Sequence, residues 1–343
     1  MISRLRFYQT PMIALALVAR AHADPVAELL PFSSFKTVNL EKLASGTVQA
    51  TRGPAMSFPR GLAVESCYVV RKPLQKTAEF HQQWNPARHP ELKVWMHSDL
   101  TARAGVAEFQ KLRSAPVNGA VRKFVAATQK LGAGPGDLQL SKAEAKAFES
   151  TPGSDAGAMP AKVADFWSGI LSQRAQAFVS GGLSRQPPCE VGGETIRAGD
   201  DISRLLKDAG KMRAQFSALL DGASLSGGKG SLTPSLYWEL VGVEDDAALN
   251  LGASYGRPGA NTWQGAEVQY FATGGYLAFL TLTQMWPVQV GGQEMTLVWQ
   301  GDLITSNELA SLHGVERMGS STAMMRETQK FIERFVSDAN KAP

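Results

Sequence analysis

The chain has 343 residues, of which 44% are hydrophobic and 19% are charged, an ordinary composition for a globular protein. Three of its 35 basic residues, Arg4, Arg6 and Arg20, lie in the first 23 positions, and without them 32 basic residues stand against 31 acidic ones. A nearly neutral chain without a basic stripe does not fit a nucleic-acid-binding protein, so no nucleic acid partner is predicted.

The first 23 residues have the pattern of a secretion signal. Positive charges at Arg4 and Arg6 precede an apolar run at 12–19, and the tripeptide 21–23 (AHA) is typical of a cleavage site. The apolar run has eight residues, far fewer than the roughly 20 that span a bilayer. We therefore expect cleavage after Ala23 and a periplasmic or secreted protein that does not span the membrane.

The first part of the mature chain has the pattern of strands with one helix between them. Strands are predicted at 38–53 and 61–71, where the residues alternate, and again at 91–100. After Lys72 the hydrophobic period changes to that of a helix, which Pro86 is expected to stop.

The middle of the chain, 101–234, is predicted to be helical. Ser141 and Glu144 have the spacing of a capping box at the start of a short helix. Further along, Asp200 or Asp201 is expected to cap another helix.

From Leu236 the alternating pattern returns in five segments. The glycine pairs 274–275 and 291–292 lie between such segments, and paired glycines favour hairpins because both turn residues often need positive φ. A long helix is predicted after Gly314. This part of the chain is expected to be an antiparallel meander followed by a C-terminal helix.

Together these elements predict an α+β fold, in which the meander packs on the long C-terminal helix. Residues 24–100 and 235–343 form the α+β domain, and 101–234 form a helical insertion. The order of elements resembles the helix-grip fold of START-like proteins over roughly 38–100 and 235–340. That resemblance implies a curved sheet that wraps the last helix around an apolar cavity, without binding residues that can be transferred. The chain also resembles a secreted bacterial protein.

The predicted strand 276–286 contains no charged residue, and neither of its faces is polar enough for contact with water. An open antiparallel sheet normally exposes one face to solvent. The strand is therefore predicted to be central and buried on both sides. The C-terminal helix is expected to cover one face, and the other is covered by the helical middle region, by curvature of the sheet or by a bound apolar molecule.

The main functional hypothesis is an exported, non-enzymatic protein that binds an apolar small molecule or lipid in a cavity beside the meander. Such pockets are mostly apolar, with a few polar groups that orient the ligand. The predicted lining residues are Tyr276, Phe279, Leu280, Thr281, Thr283, Gln284, Trp286 and Trp299.

Two other functional classes remain open. An exported hydrolase, with or without zinc, would use His81, His89 and His97, with Glu79 or Asp99 nearby. Along one strand an interval of eight residues spans about 26 Å, too far for a shared ligand, so no metal site is predicted. Alternatively, the helical insertion contacts a partner protein and the chain is an envelope scaffold.

Cys67 and Cys189 are the two cysteines of the chain. In an oxidising compartment they are predicted to form one disulfide, and the alternative is two buried free thiols.

Residues 252–256 match the G-x-S-x-G pattern of a hydrolase around Ser254. The pattern requires a helix directly after the serine, and the sequence that follows does not predict one. No catalytic residue is therefore predicted. Glycine-rich segments also lack the context of a phosphate-binding loop, so no cofactor is predicted.

Overall fold

The computed structural model describes residues 24–131, 134–148, 159–226 and 230–343. The predicted signal peptide, 1–23, lies outside the described residues. The strands of the described part are β1 (Gln49–Arg52), β2 (Gly61–Val70), β3 (Val94–Leu100), β4 (Cys189–Val191), β5 (Glu194–Ile196), β6 (Ser235–Val243), β7 (Asp246–Pro258), β8 (Trp263–Ala272), β9 (Ala278–Val290) and β10 (Gln293–Thr305).

The helices of the described part are α1 (Pro25–Leu29), α2 (Leu40–Ala44), α3 (Leu74–Gln83), α4 (Gly119–Gln129), α5 (Lys142–Lys146), α6 (Ala161–Gly181), α7 (Ala198–Asp208), α8 (Gly210–Gln215), α9 (Ser217–Gly222) and α10 (Gly314–Lys341). A 3-10 helix covers Val106–Ser114. Among these described helices, none combines the length and the apolar character that a membrane crossing requires.

The predicted α+β fold is confirmed. Eight strands form one antiparallel sheet in the order β1-β2-β10-β9-β8-β7-β6-β3, and β4 and β5 form a separate hairpin. The five predicted meander strands are β6 to β10, and β9 is central in the sheet and largely buried on both sides, as expected. The strands β2 and β3, from the first part of the chain, extend the meander at its two edges.

The β9–β10 hairpin has the turn that its glycines predict. Gly291 and Gly292 adopt φ values of +58° and +76°, and Val290 pairs with Gln293 across them. A two-residue turn with two positive φ angles matches the twist of the flanking strands. This local geometry fixes the register of the two longest neighbouring strands.

The predicted strand at 38–53 is wrong in its first half. Leu40–Ala44 is the short helix α2, and the strand is only Gln49–Arg52. The side chain of Asn39 accepts a hydrogen bond from the backbone N–H of Lys42, so it caps a helix at this point.

Ser141 and Glu144 form the predicted capping box at the start of α5. The predicted cap at Asp200 or Asp201 is wrong, because α7 already begins at Ala198. Asp201 is buried in the first turn and binds the guanidinium of Arg60 at 3.3 Å. The carboxylate is therefore used in an ion pair between elements rather than as a helix cap.

One face of the sheet, called the first face here, is covered by helices of 101–234. This segment connects β3 to β6, two strands that pair with each other. Phe178 of α6 stacks on Tyr270 of β8 with ring centroids 4.0 Å apart. Both belong to a single hydrophobic cluster that contains the inner residues of the helices and of the sheet.

The opposite face, called the second face, is covered by α10 and α3. Phe335 of α10 lies 6.2 Å from Tyr68 of β2, ring centroid to ring centroid. Phe331, about one turn earlier, packs against Val94 of β3 and Val241 of β6. In a flat sheet, five strand spacings would separate β2 from β6 by about 24 Å, more than the roughly 10 Å diameter of a helix. The sheet must therefore curl around α10.

The predicted disulfide is wrong, since both cysteines are free thiols. Cys67 lies in β2 between Gln49 of β1 and Trp299 of β10, with its side chain in the main hydrophobic cluster. Cys189 lies in β4, where its Sγ is 3.8 Å from the guanidinium of Arg174. Burial raises the pKa of both thiols, so both remain protonated at neutral pH.

Candidate functional site

The predicted lining residues are divided between the two faces of the sheet. Successive residues of a strand point to opposite faces, so alternate members of β9 cannot line one cavity. Leu280, Gln284, Trp286 and Trp299 point to the first face, whereas Phe279, Thr281 and Thr283 point to the second. Tyr276 precedes β9 and hydrogen-bonds Gln269, a residue of the second face.

Side chains of the protein fill the first face at these positions. The ring of Phe32 packs edge-on against Trp299, with centroids 4.9 Å apart, and lies parallel to Trp286 at 6.4 Å. The indole nitrogens donate hydrogen bonds to carboxylates, Trp299 to Glu65 at 3.0 Å and Trp286 to Glu28 at 2.7 Å. The prediction that these tryptophans line a ligand cavity is therefore wrong.

The second face carries a band of polar residues beneath α10. In the register of the sheet, Thr281 of β9 lies between Asp302 of β10 and Glu267 of β8. An interface between a helix and a sheet is normally apolar. We call the region where α10 lies over this band the α10 groove, with the row Asp302–Thr281–Glu267 as its floor.

Asp302 is buried, with 1% of its surface exposed. Its carboxylate accepts hydrogen bonds from Thr281 at 2.8 Å and from Gln300 at 2.9 and 3.0 Å. Thr328 of α10 also hydrogen-bonds it, so that this helix residue faces the groove. Burial raises the pKa of Asp302 to about 6, against the lowering effect of these hydrogen bonds.

Glu267 is held by a chain of side chains from the neighbouring strands. The hydroxyl of Tyr237 donates to the Glu267 carboxylate and accepts a hydrogen bond from Gln269 at 3.4 Å, and Tyr276 donates to Gln269. Tyr237 reaches Glu267 by crossing β7 at Gly252, where a Cβ atom would lie 2.1 Å from the tyrosine ring. Burial is the largest influence on the pKa of Glu267 and raises it.

The far wall of the groove is formed by β6 and β3. Nδ1 of His97 lies 2.9 Å from Oε1 of Glu239, and the imidazole stacks on Tyr237 with centroids 5.4 Å apart. Burial lowers the pKa of His97, but the hydrogen bond and the charge of Glu239 outweigh it, so that the pKa is raised. The wall therefore places its basic side chain close to a carboxylate.

Two buried polar atoms on this face have no hydrogen-bond partner. They are Oδ1 of Asn250, which pairs with Glu239 in the sheet, and Oγ of Ser66, which lies beside Gln300. Asn250 is 1% exposed and Ser66 is fully buried. An unpaired buried polar group costs about 1–3 kcal/mol, and such groups are rare in native structures.

Water nevertheless reaches the floor of the groove. Glu267, Gln269 and Thr281 are only half-buried, although burial dominates the pKa of Glu267. A group that is deep in the protein and still partly accessible lies in a recess. Met324 and Met325 precede Thr328 by four and three residues, so they share its face of α10, and we call this pair the roof of the groove.

The three histidines of the hydrolase hypothesis have separate partners. His81 packs against Trp263, with ring centroids 5.3 Å apart, and burial lowers its pKa to about 4. His89 lies 2.7 Å from the carboxylate of Asp338, and His97 binds Glu239. Across the described ranges, no group of three or more potential ligands is arranged to hold a metal ion.

Ser254, the serine of the G-x-S-x-G pattern, lies within β7 and pairs with Glu267 of β8. It therefore does not occupy a strand-to-helix turn, the position that a hydrolase nucleophile of this type requires.

In the comparisons with protein families, curated proteins and solved structures, no significant match to this chain was found. The geometry of the α10 groove is therefore the basis for assigning a function.

Replacing Asp302 by asparagine is expected to stabilise the protein at pH 7.5 and not at pH 4. The folded-state pKa of about 6 is above the ordinary value of 3.8, so the native state binds a proton more tightly than the unfolded chain. The stability that this group contributes is fully present below pH 4 and is lost as the pH rises through 6, on the order of 2–3 kcal/mol. Urea unfolding of both proteins at the two pH values measures this.

The difference in unfolding free energy between Asp302→Asn and the unmodified protein isolates the contribution of Asp302 from that of other carboxyls that titrate over the same pH range. An equal effect of the substitution at pH 4 and pH 7.5 would show that Asp302 is not buried as described.

Proposed function

We propose that the protein is an exported, non-enzymatic binding protein that holds a small molecule in the α10 groove. The observation that carries this proposal is the half-buried polar floor beneath α10, at Glu267, Gln269 and Thr281. A purely structural interface between helix and sheet would be stabilised by apolar residues at these positions. Sites that break this pattern are often functional.

The groove favours an amphiphilic ligand over a purely apolar one. Its floor offers carboxylates and amides. Phe279 and Ile304, each two residues from Thr281 and Asp302 on the same strands, lie half-buried on the same face and are apolar. The methionines Met324 and Met325 of the roof are flexible and adapt to irregular apolar groups. A ligand with one polar end and one apolar end would contact both regions.

The helix-grip resemblance supports the same location for the ligand site. In START-like proteins the curved sheet wraps the last helix around a cavity, and here the sheet curls around α10 with the polar floor between them. We extend the resemblance to the position of the site only, because the floor of this groove is polar.

Binding of 1-octanol, a neutral amphiphile, tests the proposal by calorimetry. We expect the unmodified protein to bind it and Met325→Trp to lose at least tenfold in affinity, because the larger ring fills the groove. Ala323→Trp is the matched control, since Ala323 lies two residues away on the exposed side of α10. It is expected to bind like the unmodified protein.

Circular dichroism and thermal unfolding establish that each variant is folded, and Met324→Trp replaces Met325→Trp if the latter is not. Equal octanol affinities for the roof variant and the Ala323→Trp control would rule out the α10 groove as the binding site.

A further inference from the structure

The α10 groove contains more negative than positive charge. The ionisable groups that act on Glu267 are Glu239, Asp302 and His97, and the one basic group among them, His97, is already bound to Glu239. The hydrogen bonds to Asp302 come from neutral groups. Glu267 and Asp302 therefore lie in a recess without a cation of their own.

Three basic residues of the covering helix are engaged elsewhere, and a fourth, Arg326, is exposed to solvent. Arg317 donates hydrogen bonds to backbone carbonyls near the start of β2, including Pro59 at 2.8 Å. Lys330 pairs with Glu327 on its own helix, and Arg334 pairs with Glu91. These contacts hold their charges away from the floor.

One of the two unpartnered atoms also lacks a donor, independently of the carboxylates. Oδ1 of Asn250 can only accept a hydrogen bond, and this residue lies on the second face beside Glu239. A carboxylate or phosphate ligand would bring further acceptors and further negative charge. The carboxylates of the groove lack a positive charge of their own, and a ligand that supplies one is complementary to them.

On the premise that the α10 groove binds a small molecule, we infer that the polar end of this ligand is a protonated nitrogen, as in an alkylamine or a guanidine. The nitrogen donates hydrogen bonds to Glu267, the half-buried carboxylate that water reaches. Asp302, one strand spacing beyond Thr281, adds attraction without direct contact. The apolar part of the ligand lies under Met324 and Met325.

Protonation links ligand binding to pH. Burial raises the pKa of Glu267 and of Asp302, so both carboxylates gain protons as the pH falls below neutral, while an alkylamine remains charged. His97, whose pKa is also raised, becomes positive over the same range, and Glu239 and Asp99 are the carboxylates beside it. Each change weakens the attraction for a cation at low pH.

Three ligands with the same chain and different head groups test the inference: n-octylammonium, 1-octanol and octanoate. Calorimetry with the full chain at pH 7.5 is expected to show octylammonium bound at least tenfold more tightly than octanol, and octanoate bound most weakly. Octylammonium affinity is expected to fall several-fold between pH 7.5 and pH 5, whereas octanol affinity stays constant.

Glu267→Gln keeps the size of the side chain and its acceptor for Tyr237 while it removes the charge. It is expected to weaken octylammonium about tenfold, the effect of losing one charge-assisted hydrogen bond, and to leave octanol unchanged. Glu294→Gln makes the same change at an exposed position of β10 and is expected to have no effect. Asp302→Asn is a second variant, and it is expected to lower the affinity for octylammonium several-fold.

The failure of this inference is distinguishable from the failure of the proposed function. If the three head groups bind equally and Glu267→Gln changes nothing, while Met325→Trp still abolishes octanol binding, the groove binds ligands but does not select a cation. If Met325→Trp binds octylammonium as tightly as the unmodified protein, binding occurs elsewhere and both proposals fall.

Discussion

Replacing Trp299 by alanine is expected to lower the free energy of unfolding by about 4 kcal/mol, the range for deleting a large aromatic side chain from a core. The indole is fully buried and packs against Phe32 and Phe216, with ring centroids 4.9 and 5.7 Å away. Its Nε1 also donates to Glu65, a buried carboxylate that, within the described residues, is otherwise hydrogen-bonded by Ser34. The substitution therefore leaves a cavity and removes a hydrogen bond.

Guanidinium unfolding at pH 7.5 measures this effect, and Trp95→Ala is the control. Trp95 is half-buried on the edge strand β3, so an effect of about 1–2 kcal/mol is expected there. If Trp299→Ala lost no more than this control, the first face would not be tightly filled, and a ligand cavity beside Trp299 would again fit the data.

Replacing Arg174 by leucine is expected to destabilise the protein by about 3–5 kcal/mol, because it leaves a buried carboxylate without its partner. The guanidinium of Arg174 is 1% exposed and holds Glu144 by two hydrogen bonds, at 2.7 and 2.6 Å. It also lies 4.1 Å above the ring of Phe271, within cation–π distance. This pair connects α6 to the start of α5.

Two controls separate the ion pair from the loss of side-chain volume. The double variant Arg174→Leu with Glu144→Leu removes both charges and is expected to be more stable than the single variant. Arg113→Leu breaks a pair with Asp165 in which both side chains are about half exposed, and it is expected to cost no more than about 1 kcal/mol. A single variant as mild as Arg113→Leu would contradict the burial of this pair.

The fold was predictable where a local signal determines it. Gly291 and Gly292 need positive φ angles at a two-residue turn, and they specify the β9–β10 hairpin without any distant contact. The uncharged strand β9 similarly predicted burial on both sides. These signals lie in consecutive residues, so the sequence alone carries them.

The helical middle region was an expected cover of the first face, but the packing of Phe32 there was not predictable in the same way. Phe32 lies in an irregular segment without helical or strand period, and its contact with Trp299 joins residues far apart in the chain. The disulfide prediction was wrong for a related reason, because the spacing of two cysteines in the sequence does not show whether their side chains meet. Long-range packing decided both results.

The polar floor was missed because its signal is ambiguous. Gln300 and Asp302 alternate with Trp299 and Leu303, a pattern that indicates one solvated face and one buried face. Both faces are covered, since α10 lies over the polar one. Sequence reasoning nevertheless placed Thr281 and Thr283 among the lining residues, and these two point to the second face.

A crystal structure of the protein with n-octylammonium is the most direct test of the α10 groove as a ligand site. We predict the alkyl chain between α10 and the strands β8 to β10, with its nitrogen about 3 Å from the carboxylate of Glu267. Side chains of α10 packed without space against the Asp302–Thr281–Glu267 row, with octylammonium bound elsewhere or not at all, would contradict the account.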